Sequence, residues 1–122
     1  MTAADLTLTR SVAAWNSPAF RPTLVDELQA LGPHHPVLRP LLQAALAQTS
    51  AVAEAPIRVQ VLSTREAAGR IQVHLGVFYA GVIAGCSCAD DPSPLDSITE
   101  HCECMLDIDP ATGRARAALC DR

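Results

Sequence analysis

Apolar positions change their period near the middle of the chain, helical before about residue 55 and alternating after it. In the first half, Leu24, Leu28 and Leu31 form one stripe that Gly32-Pro33 ends. Ser17-Pro18 supplies an N-cap and a first-turn proline, but Pro22 disfavours helix at Arg21, so the first durable helix is expected to begin near Thr23. A second helix is expected from Pro36 to about Ser50, since Leu38, Leu41, Leu42, Ala45, Leu46 and Thr49 keep the i, i+3, i+4 rhythm and Pro40 falls in or just after its first turn. Leu6, Leu8, Val12 and Trp15 match neither period, so residues 1–16 read as a short helix or a loose arm.

From Pro56 onward, Ile57, Val59 and Val61 alternate with Arg58 and Gln60, and a turn is expected in the Arg65 to Gly69 region. Ile71, Val73, Leu75 and Val77 begin a second strand, in which Phe78, Ala80, Val82 and Ala84 make the other face apolar too. Residues 70–88 as one straight strand would run about 60 Å, against roughly 35 Å for a domain of this length. Bulges or breaks are therefore expected at Gly76, Gly81 or Gly85. A third strand runs from His101 to Asp109, Asp109-Pro110-Ala111-Thr112-Gly113 closes a hairpin, and on a fourth strand Arg114 and Arg116 face away from Ala115, Ala117 and Leu119.

The pattern predicts one α+β domain over residues 1–122, with 1–55 helical and 56–122 β: two or three N-terminal helices packed on one face of a four-stranded antiparallel meander. The second sheet face then needs a cover. A homodimer formed through this apolar face is the expectation, with the N-terminal arm wrapping over it as the alternative.

Chemistry enters through the cysteines, four of five lying within nineteen residues as Cys86-Ser87-Cys88 and Cys102-Glu103-Cys104. Residues i and i+2 of a strand share a face, and a hairpin pairing Cys86 with Cys104 and Cys88 with Cys102 would gather four sulfurs. Opposed Cβ atoms about 4.5–5.5 Å apart are too distant for an unstrained disulfide. Tetrahedral zinc places sulfurs roughly 3.7 Å from one another, a better fit. Cys86, Cys88, Cys102 and Cys104 are thus the candidate metal ligands, for zinc or an iron–sulfur cluster, with Asp90, Asp91 and His101 as auxiliaries. One residue between cysteines is closer than the usual spacing for either metal, and buried core thiols explain Cys102 and Cys104 as well.

A thiol enzyme is a third reading, with His74 or His101 as base for Cys86 or Cys88; nearby carboxylates would raise a thiol pKa and oppose it. Asp90, Asp91, Asp96 and Glu100 form an acidic stretch that reads as a solvated loop rather than a hard-cation site, and His34-His35 as an exposed helix connection. Net charge is −4, lysine is absent, and nine arginines are scattered along the chain, so no nucleic-acid surface is expected. Leu, Ile, Val and Phe make up about a quarter of the residues, enough to build a core. Neither a secretory pattern in the first twenty residues nor a stretch of ~20 apolar residues is present, which leads to the expectation of a cytoplasmic protein with reduced thiols and no membrane segment. The expected role is a structural or regulatory metal site, with a metal-free homodimeric interaction module as the alternative, and catalysis is not expected.

Overall fold

A computed structural model describes residues 6–83 and 97–120. The elements run β1 (Leu6–Thr7), α1 (Thr9–Ala13), α2 (Phe20–Leu31), α3 (Leu38–Ala44), β2 (Ala51–Val52), β3 (Arg58–Ala67), β4 (Arg70–Val82), β5 (Ile98–Ile108) and β6 (Arg114–Leu119). All ladders are antiparallel, in the order β1-β6-β5-β4, and β4 carries both β2 and β3 on its far side. The chain is therefore α+β with an antiparallel sheet. Six strands are described rather than four: β3 to β6 form the meander, and two two-residue strands lie on it from within the expected helical half.

Burial alternates along β5 and, apart from the buried Gly76, along β4, where Ile71, Val73, Leu75, Val77 and Tyr79 face the same side as Cys102, Cys104, Leu106 and Ile108. Leu24 and Leu28 of α2 and Leu38 and Leu42 of α3 join them in one core. The Tyr79 hydroxyl donates to the Leu42 carbonyl at 2.7 Å, tying the end of α3 to β4, and burial pushes the phenol well above its ordinary pKa. Leu6 and Leu8 are buried in the same core while β1 pairs with β6. The described part of the N-terminal arm thus closes the helical side and does not wrap over the other face. Its helix α1 has no side-chain cap of its own; Glu27 of α2 instead accepts from the Ser11 N–H at 3.0 Å and the Ser11 hydroxyl at 2.6 Å.

Two helix boundaries differ from the periodic reading. α2 starts at Phe20, before Pro22, and the proline sits third in the helix as Pro40 does in α3. First-turn N–H groups have no intrahelical acceptor, so a proline there removes no helical bond. α3 ends at Ala44 instead of continuing to Ser50. The reason is tertiary: the N–H groups of Ala47, Gln48 and Thr49 donate to the Glu100 carboxylate instead of to the carbonyls one turn back.

β3 runs to Ala67, and the hairpin to β4 closes within the expected turn region, through Ala68 and Gly69 alone. Both have positive φ, 53° and 75°, the signature of a type I′ turn. Alanine in that conformation is strained by about 1 kcal/mol, whereas Asn-Gly suits the turn. Ala68→Asn is expected to raise stability by about 0.5–1 kcal/mol, read as a higher urea midpoint with unchanged slope; a lower midpoint would contradict this turn geometry.

The bulge falls on β3, between Val61 and Ser63, not at a β4 glycine. Gly76 and Gly81 continue the β4 ladder and serve another purpose, leaving room for side chains: His101 and Leu62 over Gly76, Thr49 over Gly81. Gly85 lies outside the described residues. The bulge has a consequence for the surface, because one extra residue flips the faces that follow. Arg65 comes to lie opposite Gln72, on the side away from the helices.

Candidate functional site

The β4–β5 register places Cys102 opposite Val77 and Cys104 opposite Leu75. The cysteine-to-cysteine pairing across this hairpin is therefore not formed; the ladder is offset from it by eleven positions. Cys86, Cys88, Asp90, Asp91 and Asp96 lie outside the described residues. Cys102 and Cys104 are buried under the helices with their sulfurs 3.9 Å apart. Cys104 also lines a small apolar void of about 20 Å³ together with Leu28, Leu42, Val59 and Leu75. The hydrogen bond between the thiols raises the Cys104 pKa strongly, with burial adding to it, and eases the loss of the proton from Cys102. Among the described residues, no group of three or more His, Cys, Asp or Glu side chains is placed to hold a metal ion.

The histidines are on the opposite face from these thiols. His74 meets Glu103 at 2.8 Å, and His101 lies against Phe78 with ring centroids 4.5 Å apart. The expected pairing of His74 or His101 with Cys86 or Cys88 involves thiols outside the described residues, and toward Cys102 and Cys104 both rings lie across the sheet. In the α2–α3 connection His34 is exposed, and His35 Nδ1 accepts from the Val37 N–H at 3.1 Å. Cys120 lies at the end of the sheet, its N–H donating to the Glu103 carbonyl at 2.9 Å.

Glu100 departs furthest from its expected place in a solvated loop. It is 2% exposed on the helix-covered face of β5. One carboxylate oxygen accepts from Ala47 N–H at 3.0 Å; the other accepts from Gln48 N–H at 2.9 Å and from Thr49 N–H and hydroxyl at 2.8 Å each. Burial pushes its pKa up, and the four hydrogen bonds together outweigh that and hold the group below the usual carboxylate range. This carboxylate fastens the segment between α3 and β2 to the sheet.

Among the described residues, no helix packs on the other sheet face, which is open to solvent. Leu62, Phe78 and Met105 are 40%, 38% and 38% exposed there, with Gly76 and His101 between them. A groove of about 530 Å³ runs beside Phe78, bounded by Pro56, Arg58, Gln60, Ala80 and Thr99. Around the apolar centre stand Arg58, Arg65, Arg70, Arg114 and Arg116, all on this face by strand register. The Arg65 Nε donates to Gln72 at 2.9 Å, and Arg70 pairs with Asp107, whose hydrogen bond raises the guanidinium pKa further.

Sequence reasoning treated the arginines as scattered and missed this set. The signal was present in part: Arg58 with Gln60, Arg70 with Gln72 and His74, and Arg114 with Arg116 are the polar halves of alternating strands, and in a meander those halves share one face. Arg65 and Leu62 carried no such signal, because the bulge places them. Comparison with known protein families, curated proteins and solved structures yields no match, so the chemistry of this face rests on its own residues.

Proposed function

We propose that the protein is a non-catalytic interaction module whose helix-free sheet face docks a protein partner. The observation that carries this reading is the placing of Leu62, Phe78 and Met105 in the middle of a face on which, among the described residues, no helix packs. An aromatic anchor surrounded by arginines has the composition of an interface centre. The interaction is tested by placing a photocrosslinking amino acid at Phe78 or, as control, at Ala30, an exposed position on α2. Adducts to a protein are expected at position 78 and not at position 30, in cells that natively make the protein. Equal labelling at both, or none at 78, would overturn the reading.

The thiolate metal site is a second reading, supported by one distance. The 3.9 Å between Cys102 and Cys104 sulfurs is close to the roughly 3.7 Å between ligands of tetrahedral zinc. In this reading Cys86 and Cys88 complete the zinc or iron–sulfur set. Elemental analysis of untagged, anaerobically purified protein tests it: near-stoichiometric metal that is lost in Cys86→Ser supports the site, and metal-free protein with reactive Cys86 and Cys88 rejects it.

A further inference from the structure

We infer that the partner of the open sheet face is an acidic protein segment bearing apolar anchor side chains, not a second copy of this chain; the inference rests on the docking reading above. Its basis is the distribution of charge. Among the described residues, five arginines stand on this face against three carboxylates, Glu103 and Asp107 by strand register and Asp109 beside Arg70. These described groups sum formally to +2, in a chain whose total is −4. Two such faces brought together would oppose charges of the same sign, and like charges across an interface disfavour association. An acidic partner meets the opposite field.

The local geometry fits the same partner. Phe78 is held by the His101 ring, so an apolar anchor entering the adjoining groove meets a fixed aromatic wall. Arg58 borders that groove, where its planar fork matches a carboxylate in bidentate geometry. Arg65 is oriented by Gln72, which reduces the side-chain freedom lost on binding. Phosphate would also be attracted to arginine, but Leu62 and Met105 at the centre of the face offer nothing to a sugar–phosphate backbone. The mixture of apolar centre and basic surround favours carboxylates carried on an apolar-anchored peptide.

The test is fluorescence anisotropy on the full chain with three labelled twelve-residue peptides and a labelled dT12 oligonucleotide. One peptide alternates Glu with Leu and Phe, the second replaces each Glu by Lys, and the third keeps Glu but replaces the apolar residues by Ser. Saturable binding is expected from the first peptide alone, weakening with added salt, and at least about tenfold weaker in Arg58→Glu and in Phe78→Ser. Both positions are exposed, and an unchanged melting temperature confirms that each variant is folded; Arg65→Glu provides a third variant. Equal binding of the Lys peptide, or tighter binding of dT12, would overturn the inference. Self-association that Phe78→Ser abolishes, without peptide binding, would remove the acidic partner yet keep the docking face. Failure of peptide binding, self-association and crosslinking at position 78 together would remove both.

Discussion

Replacing Glu100 by alanine is expected to lower the unfolding free energy by about 3 kcal/mol, because hydrogen bonds to a charged group contribute roughly 1.5–3 kcal/mol each and several are lost together. The sum is not the simple total of four. Ala47 and Gln48 are exposed, so their N–H groups regain water once the carboxylate is gone, whereas Thr49 is partly covered and recovers less. Glu100→Gln keeps the shape but turns one acceptor into a donor facing N–H groups, and about 2 kcal/mol is expected. The pH dependence separates charge from packing. The folded carboxylate is held below its ordinary value, while in the unfolded chain it titrates near about 4.3. On acidification the unfolded state takes up the proton first. Its stabilisation is therefore complete above the unfolded pKa and is lost as pH falls through the folded one. In urea unfolding, the gap between wild type and Glu100→Gln should be wide at pH 7 and narrow below pH ~4. A gap that stays constant with pH would mean that the carboxylate acts by shape and not by charge.

Glu100 also shows why some of this protein was legible in its sequence and some was not. The Leu24-Leu28 stripe, the alternation over 71–77 and the Asp109 to Gly113 turn are local signals, and each element stands where its period or turn chemistry places it. The early end of α3 has no local cause. Residues 45–50 continue a good helical pattern, and only the carboxylate of a residue about fifty positions away diverts their N–H groups. The cysteine spacing correctly put Cys102 and Cys104 on one face of one strand. It could not supply the hairpin register, which is set where Gly81 pairs with Ile98 and Tyr79 with Glu100. The basic face was hidden for a similar reason. Its arginines are far apart along the chain, and the meander together with a one-residue bulge gathers them.

Gly81→Ala is expected to cost about 2–3 kcal/mol, although alanine is otherwise acceptable in a strand. A Cβ at this position would lie 2.9 Å from the Thr49 Cβ and still closer to its hydroxyl oxygen. Thr49 has little room to yield, because its N–H and hydroxyl are both committed to Glu100, and β2 pairs Val52 with Gly81 directly behind it. The added methyl must push the 47–49 segment away from the carboxylate or spread β2 from β4. This makes the effect separable from strand propensity by a double-mutant cycle. Thr49→Gly removes the colliding atoms and one of the four hydrogen bonds, so it is destabilising alone, but in its background Gly81→Ala should cost less than 1 kcal/mol. The coupling of at least about 1 kcal/mol between the two positions is the quantity to measure. Strict additivity would show that Gly81 is required for its backbone and not for the approach of Thr49, and the bracket built on Glu100 would then extend no further than the hydrogen bonds themselves.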